Sequence, residues 1–188
     1  MRHKMITFVA MLAIGLAVTG CSAATTPAAP ASRAPANPAP SSVVPLALTA
    51  RQVAIALKAK GLPVSVTAVY TAATDPNHLL GRPGGYTSKI IFADPRATNA
   101  QDASGGHDVA GGGSVEVYPS RAAAMRRGAY IETLTQAAPV LGTEYDYVSG
   151  GVLLRISGNL TPAQASQYAE ALQAVTGTPV AEPSPAST

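Results

Sequence analysis

The stretch EYDYVSGGVLLRIS, residues 144–157, decides the fold of this chain. Two runs with strand character, 144–148 and 152–157, flank Ser149-Gly150-Gly151. Paired glycines between such runs favour a tight reversal, because glycine readily adopts the positive φ that hairpin turns require. The stretch therefore predicts a β-hairpin and, with it, antiparallel pairing.

Three segments upstream of the hairpin also have strand character, namely residues 63–71, 88–93 and 114–118. In the first, alternation places Val64, Val66 and Ala68 on one face. In the third, Val115 and Val117 are expected to face inward. Together with the hairpin, these segments predict a sheet of about five strands.

Capping signals mark the first and the last of three predicted helices. Thr49 with Gln52, and Thr161 with Gln164, have the spacing of a capping box, in which each side chain satisfies a backbone N–H of the other residue. Pro162 takes the first helical position, where its missing N–H does no harm. The two helices are expected to end at Gly61 and at Gly177.

Between them, Ser120 is expected to cap a longer helix that runs to about residue 137. Its apolar stripe consists of Ala124, Gly128, Ile131 and Leu134. A glycine there costs roughly 1 kcal/mol relative to alanine. Gly128 therefore predicts a close approach of this helix to the sheet.

The element order is α-β-β-β-α-β-β-α, with two strand clusters joined by short turns. That order favours an α+β domain with a mostly antiparallel sheet and helices packed on one face. We assign the globular domain to residues 48–177. Residues 178–188 are predicted to be a disordered tail, because a terminal segment rich in Ala, Pro, Ser and Thr is typical of a frayed chain end.

Residues 1–20 have the features of a secretory signal peptide. Arg2 and Lys4 supply the positive start, and an apolar run without charge follows over residues 5–18. That run is shorter than the roughly 20 residues that a transmembrane helix needs. An uncleaved signal anchor is the less favoured alternative.

Val18-Thr19-Gly20-Cys21 resembles the bacterial lipobox, an aliphatic residue followed by two small ones and cysteine. The resemblance implies a diacylglyceryl thioether on Cys21, cleavage before it, and a further acyl chain on the new amino group. Two or three chains hold a protein at a bilayer effectively permanently, since each buried methylene contributes about 0.8 kcal/mol. A plain secretory cleavage that leaves the Cys21 thiol free is the alternative.

The segment that follows, residues 21–47, is almost wholly Ala, Pro, Ser and Thr after the cysteine. It lacks apolar periodicity and hydrophobic bulk, which predicts a disordered linker between the lipid and the domain. We therefore expect the protein at the cell membrane, lipid-anchored on the extracytoplasmic face.

The charge of the chain argues against a nucleic-acid partner. The sequence carries 13 Lys and Arg, 10 Asp and Glu, and a net charge of +3. Arg2 and Lys4 belong to the signal peptide, so the mature chain keeps 11 basic against 10 acidic residues, a charge of +1. A near-neutral chain lacks the basic surface that binding to phosphate backbones requires.

Two long loops, residues 72–86 and 94–113, are the places where function is expected. The first carries Gly, Pro, Arg and Tyr, and we take five of its side chains as a possible binding loop: Asp75, Asn77, His78, Arg82 and Tyr86. The second contains His107 and Asp108. Neither loop has the residue spacing of a zinc or calcium site, so no metal and no cofactor is predicted.

Catalytic motifs are also missing: the sequence has no G-x-S-x-G, S-x-x-K or H-E-x-x-H pattern. Glu144 and Asp146 alternate on one strand face, which we expect to be solvated. Tyr145 and Tyr147 share the other face and are expected to pack in the core rather than form a ligand platform.

Arg121, Arg126 and Arg127 on the middle helix are interpreted as a solvated face, with binding of anionic lipid or wall polymer as the less favoured alternative.

The lipobox, the Ala/Pro/Thr-rich stalk and the domain together resemble a group of small actinobacterial lipoproteins. Two segments carry the likeness, YTAATDPNHLLGRPGGYTSK at 70–89 and GSVEVY at 113–118. The resemblance covers most of residues 48–175 and implies an address and a fold. It brings no activity, cofactor or partner.

The leading functional hypothesis is a non-enzymatic surface module that binds an envelope protein or wall component through the 75–86 loop. A carrier of a small ligand or lipid, which needs an enclosed apolar pocket, is the first alternative. A hydrolase, which needs titratable side chains that converge in a cleft, is the second.

Overall fold

The computed structural model describes residues 48–98, 108–138 and 142–185. The predicted signal peptide, Cys21, the linker and His107 lie outside these residues. Within them, no helix has the length and apolar character needed to cross a membrane.

The described residues form an α+β domain with three helices and a five-stranded antiparallel sheet, in the element order that the sequence predicts. The elements are α1 (Ala50–Ala59), β1 (Ser65–Val69), β2 (Ser88–Ala93), β3 (Gly112–Val117), α2 (Arg121–Ala137), β4 (Glu144–Ser149), β5 (Val152–Ser157) and α3 (Pro162–Thr176). The strand order is β1-β2-β3-β5-β4, and every neighbouring pair is antiparallel.

Local signals in the sequence account for the bounds of these elements. The capping boxes at Thr49 and Thr161 are both formed, and the Ser120 side chain accepts the N–H of Ala123. Gly177 ends α3 in the left-handed conformation, with φ of 65°. Gly150 turns the β4–β5 hairpin with φ of 56°, as the paired glycines predict.

Helices cover both faces of the sheet, so the prediction that they pack on one face is wrong. One face meets α1 and α3 in an apolar core that includes Phe92, Val115 and Leu154. The opposite face meets α2 and the 72–86 loop in a smaller core with Leu153 and Tyr86. Short antiparallel connections fix which strands pair, but they leave the side on which each helix packs undetermined.

Alternation places Val64, Val66 and Ala68 on one face of the first strand, and burial along that face is uneven. Val64, just before β1, is buried, whereas Val66 is 40% exposed and Val69 is 50% exposed. β1 is an edge strand, and its register to β2 shifts between Val66 and Ala68. Alternation identifies the two faces of a strand but does not show whether another layer covers them.

The chain after α3 differs from the disordered tail expected from residue 178. Ala181 pairs with Val148 on the outer edge of β4, through N···O distances of 2.7 and 2.8 Å. Pro183 lies against Gly128 of α2, where an added Cβ would come within 2.4 Å of the Pro183 ring and within 3.6 Å of Leu153. The close approach expected at Gly128 therefore involves this C-terminal segment first and the sheet second.

Candidate functional site

The 72–86 loop is organised by one buried carboxylate, that of Asp75. Its oxygens accept the backbone N–H groups of Leu79 (2.8 Å), Leu80 (3.0 Å) and Asn77 (3.3 Å), and the hydroxyl of Tyr86. Burial raises the pKa of Asp75, but these hydrogen bonds outweigh burial and hold the pKa below its usual value. The Tyr86 ring is buried edge-on against Tyr118, with centroids 5.8 Å apart.

The five candidate binding residues therefore separate into two groups. Asp75 and Tyr86 are buried and shape the loop from within. Asn77, His78 and Arg82 are exposed, and His78 has a positive φ of 52°. Only the second group is placed to touch another molecule. Hydropathy and loop composition cannot separate an inward-facing Asp or Tyr from an exposed one.

Behind this loop, charged side chains occupy the same sheet face that α2 covers. Lys89 of β2 and Glu116 of β3 are direct cross-strand partners, as are Arg155 of β5 and Asp146 of β4. With Glu144 and Arg127 they form a network of ion pairs that are largely shielded from solvent. Charged residues at inward positions of otherwise apolar strands were the sequence signal for this network, and our sequence analysis missed it.

Glu116 lies at the centre of the network and is fully buried. Its Oε1 lies 3.5 Å from Lys89 Nζ and 3.7 Å from Arg155 Nη1. Its Oε2 accepts the Tyr118 hydroxyl at 2.8 Å and lies 3.8 Å from Arg127 Nε. Only the tyrosine contact has the length of a strong hydrogen bond, so the three cations neutralise Glu116 without closely coordinating it.

Arg155 is held more tightly by Glu144 than by Glu116. Its Nε and Nη2 donate to the two Glu144 oxygens at 2.9 and 2.7 Å, a bidentate pair. Burial lowers the pKa of Arg155, but the charges of Glu144 and Glu116 outweigh it and raise that pKa. The guanidinium thus remains charged and fixed in orientation.

Asp146 is 5% exposed, and neither of its carboxyl oxygens has a hydrogen-bond partner among the described residues. Burial and the adjacent charge of Glu144 raise the pKa of Asp146 to about 8. The carboxyl is therefore mainly protonated at neutral pH. The prediction that Glu144 and Asp146 occupy a solvated strand face is wrong, because α2 packs against β4 and β5 on that face.

Lys89 is also deeply buried, with 5% of its surface exposed, and its Nζ lies 5.3 Å from the ring centroids of both Tyr70 and Tyr86. Burial lowers its pKa, partly offset by the charge of Glu116. Asp75 lies 4.0 Å from the same ammonium and connects the loop to the network.

The predictions for the arginines of α2 are partly wrong, and those for the tyrosines of β4 are confirmed. Arg127 turns inward toward Glu116 and stacks on Tyr130, so it is not part of a solvated face. Arg121 donates to the backbone oxygen of Pro179 at 3.0 Å. Tyr147 is buried in the apolar core, and Tyr145 packs partly buried against that core, as predicted.

A cleft of about 510 Å³ opens over the charged face, beside the network. Its lining includes the floor cations Lys89 and Arg155, the carboxylates Asp108 and Glu144, and the amides Asn77 and Asn159. Asn77 is thus the one predicted binding-loop residue in its wall. The volume falls within the range of about 300–1,000 Å³ that is typical of small-molecule sites.

A metal site does not emerge from this arrangement: within the described ranges, no cluster of three or more His, Cys, Asp or Glu could hold an ion. No protein-family model, no curated protein and no solved structure matches the chain. The cleft and its charges are therefore the basis on which function is proposed.

Proposed function

We propose that this chain is an exported lipoprotein, anchored through Cys21 on the extracytoplasmic face of the cell membrane, whose domain binds a polar envelope component in the charged cleft. The role is non-catalytic: the protein holds or senses its ligand, which is a wall component or part of an envelope protein. Asn77 contributes from the wall of the cleft, and His78 and Arg82 lie on the exposed part of the same loop.

The buried charge network beside the cleft is the observation that carries this proposal. Taking ions out of water costs several kcal/mol each, so buried ion pairs contribute little net stability compared with apolar packing. A small domain gains little stability from three cations and four carboxylates gathered between one sheet face, α2 and the 72–86 loop. Such a network is useful where some of its members also contact a ligand.

An apolar-cargo carrier has less support. Charged and amide side chains form much of the cleft, and a lipid chain or another apolar cargo would cover these polar groups without offering them hydrogen bonds. We therefore favour a polar ligand over the carrier alternative.

Site-specific photo-crosslinking in intact cells tests the binding site. A photoreactive amino acid at Asn159, on the exposed rim of the cleft, is expected to give a discrete adduct of the envelope ligand. The matched control is the same amino acid at the exposed Glu170 of α3, which belongs to the helix layer on the opposite face. Equal adducts from both positions, or none from Asn159, would refute a ligand site in the cleft.

The anchor is tested separately by membrane fractionation. Wild-type chain should remain with the membrane after a high-salt wash and incorporate labelled lipid, whereas Cys21→Ser should do neither. Identical labelling of the two would remove lipidation from the proposal and leave the cleft experiment unaffected.

A further inference from the structure

We propose that the ligand of the cleft enters with a carboxylate, which binds between Lys89 of β2 and Arg155 of β5. This inference rests on the proposed function, since it names the chemical group that the same cleft recognises. Two cationic nitrogens carry it, Lys89 Nζ and Arg155 Nη1, because both side chains line the cleft and neither nitrogen has a close ion pair within the described residues.

The ammonium of Lys89 is incompletely bound. Its Nζ lies 3.5 Å from Glu116 and 4.0 Å from Asp75, whereas charge-assisted hydrogen bonds are usually about 2.7–2.9 Å long. Asp75 is moreover occupied by backbone N–H groups and the Tyr86 hydroxyl of its own loop. The rings of Tyr70 and Tyr86 attract the charge but offer no lone pair to it. Lys89 therefore keeps hydrogens for an acceptor in the cleft.

Arg155 supplies the second donor. Its Nε and Nη2 are bound by Glu144 at 2.9 and 2.7 Å, which fixes the guanidinium, whereas the contact of Nη1 with Glu116 Oε1 is 3.7 Å long. Since Lys89 Nζ lies 3.5 Å from the same Glu116 oxygen, the separation of the two nitrogens cannot exceed the sum of these distances. The two oxygens of one carboxylate can therefore accept from both.

A third polar group lies next to Arg155 in the sheet. In the strand register, Ser114 of β3 stands between Ile91 and Arg155, and both of these neighbours line the cleft. The Ser114 side chain is fully buried, and its hydroxyl has no hydrogen-bond partner among the described residues. Leaving a buried hydroxyl unpaired is costly, and a ligand oxygen supplies the acceptor that it lacks.

The carboxylates in the wall of the cleft have partners of their own. Glu144 is bound bidentately by Arg155, and Asp108 is engaged as well, since its Oδ1 accepts the Ala110 N–H at 3.0 Å. Neither therefore requires a cationic ligand. A singly charged carboxylate also suits the site better than a doubly charged phosphate, because Glu116 and Glu144 repel each further negative charge.

The rest of the ligand is polar. A cleft of about 510 Å³ has room for more than one carboxylate group. Asn77 and Asn159 donate side-chain N–H groups to the Tyr86 hydroxyl and the Ala110 oxygen, at 3.3 and 3.2 Å, which leaves their amide oxygens as acceptors for a ligand. A sugar acid and the carboxyl end of a peptide both carry donors next to a carboxylate.

The test uses the full-length chain in detergent and ligand-observed NMR, followed by calorimetry on whatever binds. The probes are a mixture of uronic acids and a mixture of N-acetylated short peptides, each as free carboxylate and as primary amide, with hexose phosphates as a third set. We expect the carboxylates of at least one mixture to bind about 10-fold more tightly than their amides and more tightly than the phosphates. The mixture that binds identifies the source of the carboxylate.

Two substitutions locate the binding, each with a matched control. Lys89→Gln keeps a donor but removes the charge, and it should reduce the preference for carboxylate over amide to less than about 3-fold. Lys58→Gln makes the same change on the exposed side of α1 and should leave the preference intact.

Ser114→Ala removes the hydroxyl without leaving a described residue unpaired, so it should fold normally and weaken carboxylate binding by about 3-fold or more. Ser166→Ala, on the exposed side of α3, should leave binding unchanged.

Equal affinity of carboxylates and amides, tighter binding of hexose phosphates, or carboxylate binding unchanged by Lys89→Gln or by Ser114→Ala would overturn the assignment. Absence of binding by every probe, together with a ligand adduct from Asn159 in cells, would overturn it too and leave the proposed function standing. Absence of both would remove the proposed function as well.

Discussion

Two buried carboxylates of this domain, Asp94 and Glu116, have opposite surroundings. Asp94 accepts three guanidinium hydrogen bonds of 2.7–3.1 Å from Arg96 and the hydroxyl of Tyr168 at 2.8 Å. Glu116 has cations at 3.5–3.8 Å and one oxygen without a hydrogen bond among the described residues. In the first site, Asp94, Arg96 and Tyr168 satisfy one another's polar groups, and we call these three residues the structural tie. The second is incompletely satisfied beside an open cleft, which is what a binding site needs.

The pKa of Asp94 reflects these close hydrogen bonds. Burial raises its pKa, but the hydrogen bonds from Arg96 and Tyr168 outweigh burial and lower the pKa below its usual value. The Arg96 guanidinium also lies over the Tyr168 ring, 5.8 Å from its centroid. Each polar group of the tie therefore has a partner within the domain.

The largest expected effect is on the structural tie. Asp94→Ala leaves the buried Tyr168 hydroxyl without its acceptor and removes the charged partner of Arg96, whose side chain is 28% exposed, and we expect the loss to cost about 3 kcal/mol. Urea unfolding should show that loss in the free energy of unfolding, with no change in cleft crosslinking from Asn159 among the molecules that remain folded. A loss below 1 kcal/mol would place Asp94 outside the stabilising contacts.

Asp75→Ala should have the next largest effect. Three backbone N–H groups and the Tyr86 hydroxyl lose their acceptor, which we expect to cost about 2 kcal/mol. Hydrogen exchange should become faster at Leu79 and Leu80 before it does in the sheet. Unchanged protection of these two amides would contradict the role of Asp75 in shaping the loop.

Asp146 is expected to make the stability of the domain depend on pH. Burial and the charges of Glu144 and Glu116 raise the pKa of Asp146 to about 8 in the folded chain, although Arg155 lowers it. The unfolded chain releases the same proton near pH 3.9. Stability should therefore fall as pH rises between these values, by up to about 1.4 kcal/mol per pH unit from this one group. Asp146→Asn should flatten that fall, and the variant should be more stable than wild type at pH 9. Parallel pH profiles would show that Asp146 ionises normally.

The smallest expected effects are at exposed positions. Asn159→Ala and Arg82→Ala should each change the free energy of unfolding by less than about 0.5 kcal/mol. Asn159→Ala should nevertheless weaken binding slightly, since Asn159 lies at the exposed rim of the cleft, whereas Arg82→Ala should not. Weaker binding by Arg82→Ala and unchanged binding by Asn159→Ala would instead assign the binding site to the exposed part of the 72–86 loop.

The sequence predicted those parts of the fold that depend on local signals. Capping residues set the ends of two helices, namely Thr49 at the start of α1 and Thr161 and Gly177 at the two ends of α3. The paired glycines at 150 and 151 mark the hairpin. The side on which α2 packs depends on contacts that are distant in sequence, so it could not be read from periodicity.

The candidate site was harder to predict for the same reason. Lys89, Glu116 and Arg155 interrupt strands whose neighbouring residues are apolar, and that pattern indicates charges inside the domain. That they meet depends on the order β2-β3-β5, which places a strand distant in sequence beside β3. Asn77 belongs to the predicted binding loop and also lines the cleft.

We infer that the Glu116 network serves binding rather than stability. We would test this by replacing the cross-strand partners Lys89 and Glu116 together, as Lys89→Met with Glu116→Gln, and measuring both the free energy of unfolding and ligand retention. Gln keeps an acceptor for Tyr118, and Arg155 stays bound to Glu144. We expect a change in the free energy of unfolding within about 1 kcal/mol, as is common when both members of a buried pair are replaced, and at least a 10-fold loss of ligand binding. A loss of several kcal/mol with ligand binding intact would contradict it.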